Sequence, residues 1–219
     1  MIELKNIKRY YGKGENLVKA VDDINLAIDD GDVLAVVGKS GSGKTTLLNV
    51  MSGLDKPTQG NVLYDDVEIY SQNDGRLSDF RLNNIGFVFQ FFDLLPELNV
   101  IENITLPSKI AKKKVDKEKL YELLDRLELR EKIHNYPSQL SGGQQQRTAI
   151  ARSLINDPKI IFCDEPTGNL DDATGKEIVK LLFEMNRMLK KTVIIVTHDQ
   201  EIAKQCDRMI VLSDGKIIS

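Results

Sequence analysis

The apolar residues of this chain fall into continuous runs and alternating stretches, and each kind predicts a different type of strand. Alternation of apolar and polar residues over residues 2–7 and 24–28 predicts half-buried strands near the amino end, with the first at a sheet edge. Continuous runs are typical of strands buried inside a parallel sheet. These runs are residues 33–37, 85–89, 160–163 and 192–197.

Apolar residues three and four positions apart predict helices between the runs. The clearest stripe is Leu120, Leu123, Leu124 and Leu127, which predicts one amphipathic, core-facing helix over residues 115–133. Further helices are expected after residue 45, from Ser141 through Leu154, and over residues 172–190. Because buried strands alternate with helices, the pattern predicts an α/β fold with a mainly parallel sheet.

Composition narrows the class of protein. The chain has 219 residues, 41% of them hydrophobic, which is enough for one core with at most a smaller lobe. The net charge of −3 argues against a dedicated nucleic-acid binder, so no nucleic-acid partner is expected. No signal peptide and no membrane-spanning run are recognisable, and the two cysteines suit a reducing compartment. We therefore expect a cytoplasmic protein that reaches a membrane only through a partner.

The most specific motif follows the run at residues 33–37. Gly38 is followed by four residues and then by Gly43, Lys44 and Thr45, the spacing of a phosphate-binding loop, or P-loop. Glycines let successive N–H groups turn inward toward phosphate oxygens. Lys44 would reach the β- and γ-phosphates, and the Thr45 hydroxyl would ligate Mg²⁺. The strand before and the helix after make a chance match on a glycine-rich turn the weaker interpretation.

Three further features point to a ligand or a partner, and two of them have open alternatives. Tyr11 either stacks on an adenine ring or is a partly buried aromatic at a strand end. Gln90 ends a strand, where α/β sheets bind ligands. The apolar segment at residues 91–96 either packs under a helical lobe or presents a hydrophobic patch to a partner.

Residues Ser141 to Gln144 predict a second anion site. Gly142 and Gly143 at a helix entrance would expose backbone N–H groups and the positive end of the helix dipole. A helix merely capped by Ser141 would not explain two glycines, which weaken a helix.

Acidic and imidazole side chains end two other strands. Asp164 and Glu165 are adjacent carboxylates that repel one another, so their presence at a strand end needs a functional reason. Because a P-loop lies on the same sheet, we expect Asp164 to bind Mg²⁺ and Glu165 to activate water. His198 ends the last buried run, a position that favours function over a structural role, whereas His134 lies in a polar segment without such a signal.

These motifs occur in the order found in the ATP-binding-cassette ATPases, and the chain resembles that family from end to end. The resemblance implies one cassette domain over residues 1–219, comprising a P-loop NTPase core, an N-terminal antiparallel β subdomain and a helical subdomain inserted at about residues 91–139. It also implies that Tyr11 stacks on adenine, Gln90 senses Mg²⁺ and water, residues 169–171 form the D-loop, and His198 lies near the γ-phosphate.

Motifs and resemblance together assign the site residues to three sets. Catalytic roles are expected for Glu165, His198, Lys44 and Gln90. Mg²⁺ ligands are expected in Thr45, Gln90 and Asp164. ATP contacts are expected from Tyr11, Gly38, Ser40, Gly41, Ser42, Gly43, Lys44, Thr45, Thr46, Ser141, Gly142, Gly143, Gln144 and Asp171.

The family resemblance also implies partners. Its members act as head-to-tail dimers, so Ser141, Gly142 and Gly143 would contact ATP held by a second copy of the chain, and a transmembrane permease would hold the pair on the inner face of the membrane. Residues 53–58, 86–90 and 164–171 look like the subgroup for macrolide export, lipoprotein release and antimicrobial-peptide resistance. The expected function is ATP-driven export or release of a hydrophobic or peptide-like substrate; the alternative is a soluble cassette ATPase acting on cell division, DNA or ribosomes.

Overall fold

Ten strands and seven α-helices make up the chain. The computed structural model describes residues 1–219, which divide into two compact units: residues 1–81 with 192–219, and residues 82–191. In chain order the elements are β1 (Ile2–Tyr11), β2 (Val18–Ile28), β3 (Val33–Val37), α1 (Lys44–Met51), β4 (Gln59–Tyr64), β5 (Val67–Glu68), α2 (Asp74–Asn84), β6 (Ile85–Phe89), α3 (Val100–Ile110), α4 (Lys117–Arg126), α5 (Gly142–Leu154), β7 (Ile160–Asp164), α6 (Asp172–Leu189), β8 (Thr192–Val196), α7 (Gln200–Ala203), β9 (Arg208–Ser213) and β10 (Lys216–Ile217).

The first unit contains an antiparallel sheet in the order β2-β1-β4-β5. Strand β1 therefore lies inside the sheet, and the prediction that residues 2–7 form an edge strand was wrong. The reason is that β4 returns from far along the chain to pair with β1, which buries Ile2 and Leu4. Tyr11 is the last residue of this strand.

Strands β4 and β5 pair antiparallel and form a hairpin about Asp65 and Asp66. Both turn residues are left-handed, with φ of 47° and 66°. Two left-handed central residues are the condition for a type I′ turn, whose twist matches that of the strands. Aspartate is one of the few residues that accepts this conformation, so the hairpin keeps its normal twist without a glycine.

The first unit also contains the strand that leads into the P-loop. Strand β3 is buried throughout and pairs in parallel with β8 and β9, while β10 pairs antiparallel with β9. In the second unit β6 pairs in parallel with β7. The predicted α/β class with a mainly parallel sheet is confirmed.

In the second unit α5 packs against β6, and α3 and α6 pack against α5. The helix predicted over residues 115–133 is shorter, because α4 ends at Arg126. Glu128 is left-handed, with φ of 55°, and the Leu129 N–H donates to the Leu124 carbonyl at 2.8 Å. This bond and the one from Glu128 N–H to Asp125 O form a Schellman motif, which terminates helices. No helix of the chain has the length and apolar character needed to cross a bilayer.

Candidate functional site

The loop between β3 and α1 requires glycine at two places. Gly43 caps α1 with φ of 102°, and a Cβ there would lie 2.0 Å from the Ala20 carbonyl oxygen. A Cβ on Gly38 would lie 2.3 Å from the Leu212 carbonyl oxygen. Both neighbours are backbone atoms that cannot turn aside, so the loop forms only with glycine at these positions.

Lys44 closes this loop on itself. Its ammonium donates to the Gly38 carbonyl at 2.8 Å and to the Lys39 carbonyl at 3.0 Å, and the residue is only 9% exposed. The buried Ser42 hydroxyl has no hydrogen-bond partner, and the first turn of α1 has no side-chain cap. A helix start with these features is suited to an anion such as a polyphosphate. Of the other predicted contacts, Ser40, Gly41 and Thr45 are exposed and Thr46 is half-buried.

His198 leaves the sheet at the same edge as the P-loop. Val36 of β3 lies opposite Val196 of β8, and the Thr197 N–H donates to the Val36 carbonyl at 3.1 Å. Gly38 and His198 each follow these paired residues by two positions, and His198 is exposed. The structure therefore brings His198 to the edge from which the P-loop emerges.

Tyr11 is held in one orientation at the end of β1. Its hydroxyl donates to the Asp55 carboxylate at 2.6 Å, and the Arg9 guanidinium lies 4.5 Å from the ring centroid. Arg9 is itself paired with Asp55 at 2.7 Å. The tyrosine is 39% exposed, so one ring face is occupied by a cation while part of the ring remains open to a ligand.

In the second unit, Gln90 and Asn169 bind each other reciprocally. The Gln90 Nε2 donates to the Asn169 Oδ1 at 3.2 Å, and the Asn169 Nδ2 donates to the Gln90 carbonyl at 3.0 Å. A Cβ on Gly168 would lie 2.8 Å from the Gln90 Nε2. Because the amide nitrogen is engaged, the amide oxygen of Gln90 is the atom left to meet a metal ion or a water.

Glu165 has an unusual backbone conformation. It directly follows β7 and is left-handed, with φ of 46°, a conformation that costs energy for a side chain of this kind and clusters at functional sites. Asp164, the last residue of β7, lies opposite Phe89, the residue before Gln90. The structure therefore brings Gln90, Asp164 and Glu165 to the same end of two paired strands, and both carboxylates are half-buried.

The start of α5 satisfies its own backbone. The Ser141 hydroxyl accepts from the Gln144 N–H at 3.3 Å, and the Gln144 side chain accepts from the Ser141 N–H at 3.1 Å, a complete capping box. A Cβ on Gly143 would lie 2.6 Å from the Thr174 methyl carbon. The serine-capped helix set aside in the sequence analysis is thus present, and close packing against α6 gives Gly143 a structural reason of its own.

Asp171 lies beside this turn through the same threonine. Its carboxylate accepts from the Thr174 hydroxyl at 2.7 Å and from the Thr174 N–H at 3.0 Å, capping α6. The hydrogen bond from the Thr174 hydroxyl, followed by that from its N–H, holds the pKa of Asp171 below its usual value. Residues Ser141 to Gln144 and Asp171 are therefore neighbours in the second unit.

Sequence reasoning missed Gln146. This side chain is fully buried and donates to the Pro166 carbonyl at 2.5 Å and to the Phe89 carbonyl at 3.3 Å. The available signal was its place on α5, three and four residues before the buried Ala149 and Ile150. A polar residue on the buried face of a helix needs hydrogen-bond partners, and the sequence alone does not name them.

Comparisons with known proteins agree with these motifs. The family model described as "ABC transporter" matches residues 21–168. The chain is 44% identical to a lipoprotein-releasing system ATP-binding protein of Syntrophotalea carbinolica, over 99% of this chain and 96% of that protein. It is 43% identical to a macrolide export ATP-binding/permease protein of Bartonella henselae, over the whole of this chain but 33% of that protein.

A solved structure extends the likeness to three dimensions. An ATP-binding cassette from Methanocaldococcus jannaschii, determined as a dimer in a post-hydrolysis state with ADP and Pi, superposes with a TM-score of 0.90. The two chains are 42% identical, and the match covers 100% of this chain and 97% of that one.

Proposed function

The chain belongs to the ABC transporter family as one of its ATPases, and from this premise we propose that it powers export or release of a hydrophobic or peptide-like substrate through a membrane permease. The observation that carries the proposal is the sequence similarity of this chain, along almost its whole length, to lipoprotein-releasing system ATP-binding proteins. ATP hydrolysis is the activity; the permease and its cargo are the proposed part.

ATP fits the first unit of the structure. The phosphates would take the place of the carbonyls that Lys44 now contacts and would supply acceptors for the buried Ser42 hydroxyl. Adenine would stack on the face of Tyr11 opposite Arg9. Further phosphate contacts are assigned to Gly38, Ser40, Gly41, Gly43, Thr45 and Thr46.

Mg²⁺ is the metal that the proposed oxygen donors suit. Thr45 offers a hydroxyl, Gln90 an amide oxygen and Asp164 a carboxylate. No group of three or more acidic, histidine or cysteine side chains is placed to hold a metal ion by itself. Mg²⁺ keeps several waters and binds mainly through substrate phosphates, so it needs few ligands from the protein. The ion would neutralise charge on the transferred phosphoryl group.

Hydrolysis would proceed by in-line attack of water on the γ-phosphate. Glu165 accepts a proton from that water, and its left-handed backbone sets the direction in which its side chain leaves the chain. Gln90 orients the water, while Lys44 and His198 stabilise charge on the γ-phosphate.

A second copy of the chain would complete the site. We assign Ser141, Gly142, Gly143, Gln144 and Asp171 to contacts across a head-to-tail dimer, in which each ATP bridges two chains. Support comes from the dimeric state of the similar cassette. If bridging ATP binds the closed dimer and not the separated chains, ATP drives closure of the dimer by mass action. Hydrolysis of ATP would then reopen the dimer.

The permease is proposed to dock on the loop at residues 91–96. Phe91 is 72% exposed and Leu95 is 44% exposed, an apolar surface typical of an interaction site. The loop is fixed from two sides: the Arg152 guanidinium donates to the Phe92 and Asp93 carbonyls, and Asn103 binds both backbone groups of Leu95. Both interpretations of this loop therefore enter the proposal: its backbone is held by Arg152 and Asn103, and its exposed apolar side chains face a partner. Docking would place the single cassette domain, with helices α3 and α4 as its helical subdomain, on the inner face of the membrane.

Copurification tests the proposal. Tagged Glu165→Gln with Mg-ATP, extracted from detergent-solubilised membranes of the source cell, is expected to bring down a permease with few spans and a large extracytoplasmic domain. Phe91→Asp in the same background is the matched control and should lose the permease while retaining ATP. A partner with many spans and a solute receptor would contradict export, and recovery of ribosomal or DNA-bound proteins alone would support the soluble alternative.

A further inference from the structure

Gln146 lies at the junction of three functional segments. We propose that it is a positioning residue for ATP hydrolysis, which fixes Gln90 and Glu165 relative to each other and ties both to the helix that begins with Ser141. The inference rests on the proposed roles of Gln90 and Glu165.

One amide group makes both connections. The Gln146 Nε2 donates to the carbonyl of Phe89, the residue before Gln90, and to the carbonyl of Pro166, the residue after Glu165. The two distances are 3.3 Å and 2.5 Å, and a primary amide has two N–H donors, one for each carbonyl. The contact therefore sets the spacing between the ends of the two strands that present the proposed base and the proposed water-orienting residue.

A role in stability alone explains this residue poorly. The side chain is fully buried, yet its Oε1 has no hydrogen-bond partner. An unsatisfied buried acceptor is destabilising, and this cost offsets part of what the two hydrogen bonds of the amide nitrogen contribute. Thr148 on the same helix shows the contrast, because its hydroxyl donates at 2.8 Å to the Gln144 carbonyl within α5 and connects no other element.

The helix gives the contact a second consequence. Ser141 to Gln144 form the first turn of α5, and Gln146 follows within the next turn of the same helix. A displacement of this first turn on meeting a nucleotide would move the Gln146 amide with it, because a short helix shifts as a unit. The amide would then carry the shift to Gln90 and Glu165.

The test compares Gln146→Met with Thr148→Val in the full-length chain. Methionine matches the length of glutamine but donates nothing, and valine removes one hydrogen bond at an equally buried place on the same helix. For Gln146→Met we expect kcat to fall about tenfold or more, with the KM for ATP changed by less than about twofold. Thr148→Val should retain kcat. Equal losses in both variants, or an unchanged kcat in Gln146→Met, would overturn the inference.

A second variant gives a readout that a structural role does not affect. Burial favours the neutral form of a carboxyl group, so Gln146→Glu can donate one hydrogen bond when protonated and none when ionised. Its kcat relative to wild type should rise as the pH falls from about 8 to about 6. A flat ratio would refute the positioning role even if Gln146→Met is too unstable to assay.

Wild type and Glu165→Gln are assayed in the same series, so that the proposed function and the role of Gln146 are tested separately. Absence of hydrolysis by the wild type would refute the proposed function itself. Hydrolysis by the wild type, its loss in Glu165→Gln and full activity in Gln146→Met would refute only the role of Gln146.

Discussion

The chain has two helix starts proposed to meet phosphate, and they are built in opposite ways. Helix α1 begins at a left-handed glycine without a side-chain cap, next to a buried serine hydroxyl that lacks a partner. Helix α5 begins with a complete capping box between Ser141 and Gln144. The first start therefore leaves polar groups ready for a ligand at the expense of stability, whereas the second satisfies its own backbone through the Ser141–Gln144 cap.

This difference suggests a division of labour between the two starts. A terminus without a side-chain cap has no cap to give up when the phosphate arrives, whereas a capped terminus exchanges one set of hydrogen bonds for another. Most of the affinity for ATP should then come from the α1 loop. The start of α5 should contribute little to the affinity for ATP and more to making closure of the dimer depend on bound nucleotide.

Removal of the α1 cation should have the largest effect. Lys44→Ala deletes the charge expected on the β- and γ-phosphates and should lower turnover by about 10²-fold or more, with weaker ATP binding by titration calorimetry. Lys39→Ala is the control, because that side chain is exposed and only the Lys39 carbonyl meets Lys44. Normal ATP binding by Lys44→Ala would contradict the assignment of affinity to this loop.

A methyl group at Gly143 tests the packing reason for that glycine. Alanine is favoured over glycine inside a helix by about 1 kcal/mol, but the added Cβ would meet the Thr174 methyl carbon at 2.6 Å, and overpacking costs about 1–3 kcal/mol. Gly143→Ala should lower the free energy of unfolding in the wild type and raise it in a Thr174→Ser background. Denaturant titration of the four proteins measures this change of sign, and destabilisation in both backgrounds would disprove the steric account.

Loss of the α5 cap should have a moderate effect on both stability and turnover. Ser141→Ala removes the capping box and should cost about 1 kcal/mol of unfolding free energy. Asn99→Ala removes the equivalent box of α3, in which Asn99 and Glu102 bind each other's backbone. Both variants should melt at similarly reduced temperatures, and only Ser141→Ala should lose ATPase activity. Equal activities would remove Ser141 from the site.

The smallest expected effect concerns acid. The Thr174 hydrogen bonds hold the pKa of Asp171 below its usual value, so the ionised cap contributes stability above the unfolded pKa of about 3.9. That contribution is lost as the pH falls through the lower pKa of the folded protein. Asp171→Asn still caps α6 but does not titrate. As the pH falls from about 5 to about 3, the range in which carboxyl groups titrate, its melting temperature should fall less steeply than that of the wild type. Identical acid profiles would contradict the assignment.

Local patterns predicted much of this molecule, and the failures have a common cause. The P-loop, the buried strands and the residues at strand ends depend on nearby sequence, and the comparisons bear out the fold they indicate. The end of α4 was missed because Glu128, and not glycine, takes the left-handed position. The interior place of β1 and the contacts of Gln146 depend on partners distant in sequence, which a hydrophobic pattern does not encode.

The left-handed backbone at Glu165 has a consequence for the descent of proteins like this one. Glycine or asparagine would occupy that conformation with less strain, so selection for folding alone would favour replacing the glutamate. With the proposed role of Glu165 as the base, selection for hydrolysis would be what retains it. In a duplicated copy that retained ATP binding but was released from turnover, position 165 should be among the first to drift, and the drift should make that copy more stable than its parent.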